Sequence, residues 1–398
     1  MPAHPHDHGP DAAPPDPAAA QQAAESFYPP GTTYPEGTVV SLQTHGCGEA
    51  ISGGQPLTCA TAVVIVGEGE GEGAYVQIEL PPEAVAMDVA AGDGLVLTRD
   101  PGIDAGGPTY QFQDFARDTA IVVLALFFVL VVGLVARLRG LLAILGLGFA
   151  FAVLLVFLLP ALLAGGSPIW VTLVGSSAIM FVVLYLAHGF SARTTTALVG
   201  TLFGLALTAV LGAVAVSAAR LTGFANENTL MLQPYDPSLD FTGLVLAGTV
   251  VAGLGVLNDV TITQASAVWQ LHEVSPETGW RELFRRGMAI GRDHIASTIY
   301  TIVFAYTGAA LPLLLIFEIY QRPFWTVLTG SEVGEEVIRT LVGAIALVLA
   351  VPVTTVVAAL IATAAATAAP AAAPAPPQTP VGTAPRAAEQ RLGRDTRR

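Results

Sequence analysis

The sequence predicts an α-helical integral membrane bundle of about seven transmembrane helices with a small N-terminal all-β, barrel-like domain. Three observations carry this prediction. Of the 398 residues 53% are hydrophobic and only 12% charged, too few charges to cover the surface of a soluble protein of this size. From Thr119 onward, charge-free stretches of about twenty residues recur, each long enough to cross a hydrocarbon core of about 30 Å. Ahead of them lie short β-rich runs separated by glycine-rich turns and by Pro81-Pro82.

In chain order, residues 1–35 read as a disordered tail, because 1–26 are mostly Ala, Pro, His and Asp with no apolar run. Residues 36–118 read as a β domain and linker, with runs at Thr38–Leu42, Ala62–Val66, Ala74–Leu80 and Gly94–Thr98 and an oligonucleotide-binding-type barrel as the expected architecture. The hydrophobic spans fall near 119–136, 141–163, 169–189, 195–219, 241–267, 295–317 and 338–366. A chain of apolar spans must satisfy its backbone internally, so each is expected to be a helix. Residues 367–398, rich in Ala and Pro and then basic, read as a second disordered tail.

Arginine placement orients the bundle, since all 17 basic residues are arginine. Arg137, Arg139, Arg193, Arg281, Arg285, Arg286 and Arg292 lie in connections on one side, with five more after the last span. Glu227, Asp236, Glu332, Glu335 and Glu336 lie in the opposite connections, against Arg220, Arg322 and Arg339. The β domain is therefore expected outside the cell membrane and the C-terminus inside. Export of a β domain calls for a signal or a preceding helix, which residues 1–26 do not supply. Net charge of −14 argues against nucleic-acid partners.

The fifth span carries the most chemistry. Gly248, Ala252, Gly255 and Asp259 share one helix face, continued by Thr263, Ser266 and Gln270. Small residues suit close helix contact, so this face is expected to point into the bundle and to bring Asp259 toward the start of span six. Asp259, nineteen residues beyond Asp240 and so about 28 Å along a helix, is expected near the inner leaflet. Arg292, Asp293, His294 and Ser297 begin span six at that level, and His188 ends span three there. Together with Thr263 and Gln264 they form a candidate substrate or ion site. The competing reading is a structural cluster in which Asp259 pairs with Arg292.

Other signals are weaker. Cys47 and Cys59, the only cysteines, suggest a disulfide in an outside domain. His4, His6 and His8 with Asp7 suit loose metal binding or simply a histidine-rich tail, and the Gly67–Gly73 run of alternating Glu and Gly suits a flexible hairpin loop. His272-Glu273 lacks a second histidine at helical spacing, and no nucleotide-binding motif occurs, so no cofactor is expected. Pro312 and Pro352 each remove a helix hydrogen bond.

Four segments carry a resemblance. Gly253–Ala267 (GLGVLNDVTITQASA), Gly291–Thr298 (GRDHIAST), Phe304–Leu315 (FAYTGAALPLLL) and Tyr185–Thr196 (YLAHGFSARTTT) resemble actinobacterial members of the YibE/F family of multi-pass membrane proteins. The resemblance covers roughly residues 36–366, with Asn258 where the family more usually has a second acidic residue. It implies the architecture above and leaves function open among three classes. One is a permease or ion-coupled secondary transporter moving a small solute or ion. Another is an anchor or adaptor whose β domain binds an envelope protein. The last is an intramembrane enzyme, disfavoured because Asp259 has only Asp293 as a second carboxylate.

Overall fold

A computed structural model describes residues 31–49, 56–102, 107–225, 229, 232–233 and 239–368. The expectations for the histidine-rich segment, for the tail up to residue 30 and for the tail beyond 368 lie outside these residues.

The N-terminal region is a five-stranded antiparallel sheet in the order β3-β2-β1-β4-β5. Its strands are β1 Glu36–Glu49, β2 Pro56–Val66, β3 Tyr75–Leu80, β4 Gly94–Asp100 and β5 Thr109–Phe115, with the short helix α1 Pro82–Val85 between β3 and β4. Alternation sets the inner face: Ala60, Ala62, Val64 and Val66 of β2 are buried, as are Leu95 and Leu97 of β4. The edge strands β3 and β5 pack together without pairing. The Gly67–Gly73 loop is tied across this seam rather than free. The Tyr110 hydroxyl donates to the Glu70 carbonyl at 3.3 Å, and Glu70 pairs with Arg99 at 2.8 Å. Strand β5 escaped the sequence reading because its inner residues are the aromatics Tyr110, Phe112 and Phe115 alternating with polar ones. Cys47 occupies a bulge between Gly46 and Gly48 of β1, and a disulfide joins it to Cys59 of β2 with Cα atoms 5.6 Å apart.

The helices follow as α2 Asp118–Val153, a π-helical turn Leu154–Leu158, α3 Leu159–Leu163, α4 Pro168–His188, α5 Ala192–Ala218 and α6 Phe241–Val274. Then come α7 Trp280–Ala309, α8 Leu311–Ile319, α9 Phe324–Leu328 and α10 Ser331–Ala368. Among the described residues, five helical elements are long and apolar enough to cross a membrane, and a sixth candidate is the bent pair α7–α8. Two expected boundaries change. No loop separates the first two spans; they join at Arg137, whose φ of 55° and ψ of −141° break the helix. A Cβ on Gly140 would lie 2.6 Å from Val132, eight residues earlier and about 12 Å away on a straight helix, so the chain folds back there. The sixth span bends by 62° between α7 and α8, where Pro312 in the first turn of α8 starts a new helix.

Helix α6 is the hub. Asp240 caps it by accepting from the Gly243 N–H at 2.8 Å. Helices α4, α5, α10 and α7 all pack on it, and α5 also touches α4 and α10, while α10 touches α7. Their order around α6 is therefore α4, α5, α10, α7. Close approach comes from glycine: a Cβ on Gly204 would sit 2.5 Å from Leu257, and one on Gly212 the same distance from Leu246. The core of this cluster is Leu184, Leu205, Val250, Leu257, Val260, Leu347 and Val351.

Candidate functional site

The residues singled out from the sequence are not gathered into one site. The Asp259 face of α6 was expected to point into the bundle and instead points away from it. Gly248, Gly255, Asp259 and Thr263 are exposed, and the Asp259 side chain is 69% exposed. The reason is that α6 has small residues on two faces, and the face carrying Gly253, Leu257, Thr261 and Gln264 is the one its neighbours bury. Asp259 does meet span six, through His294 at 4.0 Å, and no ion pair joins it to Arg292 among the described residues. Arg292, Asp293 and Ser297 are exposed. His188 lies at the end of α4, where the nearby charges are Arg193 and Arg139 rather than Asp259. Gln264 is the one fully buried member. Its amide donates to the Gly287 carbonyl of α7 at 2.9 Å and to the Thr355 hydroxyl of α10 at 2.8 Å, so it ties three helices together.

A different group of residues lines a half-open cavity. At the end of the bundle where α6 and α10 begin lies a cavity of about 540 Å³, lined among others by Gly223, Phe241, Leu313, Glu332, Glu335, Glu336 and Arg339. Glu335 and Arg339 lie one turn apart on α10 and face the same way. Arg339 pairs with Glu336, and its buried Nε, which has no hydrogen-bond partner, lies on the same lining as Glu335. Glu335 is 9% exposed, and its Oε1 is buried with no hydrogen-bond partner. The Gly223 backbone N–H lies near its carboxylate. Only glycine fits at 223: φ is +79°, and a Cβ would come within 2.4 Å of the Phe241 carbonyl oxygen. The loop before α6 is thus pressed onto the helix end in the conformation that presents its N–H to Glu335.

An apolar annex of about 330 Å³ adjoins the cavity, sharing Leu313, Glu332 and Glu336 and extending between Val303, Tyr306, Leu314 and Val337. Further along α6 and α10 from the cavity, Leu246, Val250, Val342 and Ala346 are buried. Deeper still, a seam of buried hydroxyls runs between α5, α6 and α10. Thr201 and Thr261 share a hydrogen bond of 2.6 Å, and Thr208, Thr354 and Thr355 back-bond to their own helices. The sequence held one sign of the Glu335 site: Glu332, Glu335, Glu336 and Arg339 crowd the first two turns of an otherwise apolar helix. Burial of only one of them could not be read without the loop that covers it.

No curated protein and no solved structure matches the chain. The model for YibE/F-like proteins matches residues 124–364, from the first apolar helix to the last, and the chain belongs to that family of proteins.

Proposed function

We propose that this protein is a secondary transporter for a small cationic solute, with Glu335 as the group that receives the cation. One observation carries the reading: a buried carboxylate oxygen without a partner lines a cavity at one end of a membrane bundle. A carboxylate is expensive to keep there, and ionisable groups inside membrane bundles mark solute and proton paths. Three carboxylates against one guanidinium make the lining acidic, and Arg339 is hydrogen-bonded to Glu336 rather than to Glu335. The break between α7 and α8 beside Leu313 supplies a discontinuous helix of the kind transporters use at their binding sites.

In this reading the chain crosses the membrane seven times. The 46 residues of Asp118–Leu163 would span about 69 Å as one straight helix, more than twice the hydrocarbon core, so they cross twice with Arg137 at the turn. The bent pair α7–α8 supplies the sixth crossing and α10 the seventh. The arginine asymmetry supports a cavity and β domain outside and a C-terminus inside. Strand order and the β3–β5 contact fit a five-stranded barrel of the oligonucleotide-binding type. Thermal unfolding of the detergent-purified protein, titrated with sodium, potassium, magnesium, ammonium and methylammonium chlorides, tests the site. At least one cation is expected to raise the midpoint of wild type and not that of Glu335→Gln. Equal shifts in both proteins, or none in either, refute the assignment.

A further inference from the structure

We infer that the protein forms a reciprocal dimer in which the first half of α2, residues 118–136, of each copy lies in a groove on the other, with Arg137 of one copy against Asp259 of its partner. The groove follows from the packing order. Helices α4 and α7 both rest on α6 but scarcely touch each other, so the ring around α6 is open between them. The face of α6 exposed in that gap carries Gly248, Gly255 and Asp259, and a Cβ added at either glycine meets nothing within 4 Å. Elsewhere in the bundle the glycines at Gly200, Gly204, Gly212, Gly287 and Gly291 are where another helix comes close. A floor of small residues between two flanking helices has the shape that admits a helix.

The same chain supplies a helix without a home. Residues 118–136 of α2 are exposed on every side except for partial cover at Val132 and Gly133, whereas the part of α2 beyond Arg137 packs on α4 through Gly146 and Val183. A groove and a free helix complement each other, whereas the flanking α4 and α7 hold two recessed α6 floors apart, which disfavours direct pairing of the two α6 faces.

Depth and charge fix the register. Asp240 and Asp118 mark the same end of α6 and of α2, and both helices run from it toward the other leaflet. Asp259 and Arg137 each follow nineteen residues later, so the carboxylate and the guanidinium come to one depth, and Gly133 comes level with Gly255. The only charged partner of Asp259 among the described residues is His294 at 4.0 Å, which leaves the carboxylate open to a cation at the inner end of the groove. Reciprocal insertion closes the assembly as a twofold dimer with two such pairs.

Two differently tagged full-length copies, one carrying Gly255→Cys and the other Leu134→Cys, are co-expressed and oxidised in native membranes, with Cys47 and Cys59 left in their disulfide. A cross-linked species carrying both tags is expected. Cross-links only between two Gly255→Cys copies, or no cross-link at all, overturn the proposal in favour of symmetric α6 pairing or lipid cover. A bond formed within one chain carrying both cysteines, held singly in a nanodisc, overturns it in favour of the chain's own helix. Native mass spectrometry gives a second readout: Arg137→Asp and Asp259→Arg are each expected to lower the dimer fraction at least fivefold, and the double variant to restore it. Failure of the double variant to restore the dimer while it remains folded overturns the ion pair.

Discussion

Gln264 stands among the site candidates of the sequence and among the structural ties of the fold, and replacing it decides between the two. Gln264→Met keeps an unbranched side chain of similar length and deletes both donors. The acceptors are not orphaned by this. Gly287 keeps its carbonyl bond within α7, and the Thr355 hydroxyl still donates to the Val351 carbonyl at 2.6 Å. The loss is therefore the net worth of two interhelical hydrogen bonds, about 1–3 kcal/mol in total, without the further penalty of a stranded partner. Gln264→Glu is expected to cost more, because a carboxylate oxygen then faces the Gly287 carbonyl in a fully buried position with Gly291 packed tightly beside it. Thermal unfolding in detergent measures both, with cation binding followed in parallel. Unchanged stability in Gln264→Met, or lost binding with unchanged stability, refutes the structural assignment.

Cys47→Ser opens the bridge across 12 residues, and loop closure of that length is worth about 3 kcal/mol to the β domain; unfolding of the full chain followed at the sheet, with mass spectrometry for the free thiol, checks it. Glu36 of β1 meets the Asp118 carboxyl at the head of α2, and that hydrogen bond, with some loss of hydration and the like charges of Asp118 and Glu68, raises its pKa. A raised acid stabilises fully below its unfolded pKa, and that contribution is lost as pH rises through the folded value. Wild type is therefore expected to lose stability as pH climbs past the ordinary glutamate range, and Glu36→Gln to flatten that slope in a pH series of melting curves. For the orientation, a cysteine at Gly71 is expected to react with an impermeant reagent added outside intact cells and one at Glu277 to react only after lysis; the reverse pattern sinks the orientation.

Much of the membrane part was legible because hydrocarbon thickness and backbone satisfaction leave few choices. Pro168–His188 and Ala192–Ala218 fall within a few residues of the spans read from apolar runs. Arg137 shows what is harder to read: its arginine marked a connection, but not that the reversal takes a single strained residue. Facing was the main failure. Gly253 and Gly255 are equally small, and nothing local says which one meets Thr208 and which meets nothing; the neighbours decide. Glu335 was hidden for a similar reason. Its burial comes from Gly223 and Phe241, more than ninety residues away in sequence, so its charge read as an ordinary loop acid.

The central claim is that Glu335 receives a cation on its way across the membrane. Protein reconstituted into liposomes and adsorbed on a solid-supported membrane reports charge movement after a rapid jump in sodium, potassium, magnesium, ammonium or methylammonium. A transient current is expected for the cation that also stabilises the purified protein, together with at least tenfold loss of that current in Glu335→Gln at equal incorporation. A current of wild-type size in the folded variant, or no current from wild type with any of the five cations, contradicts the account.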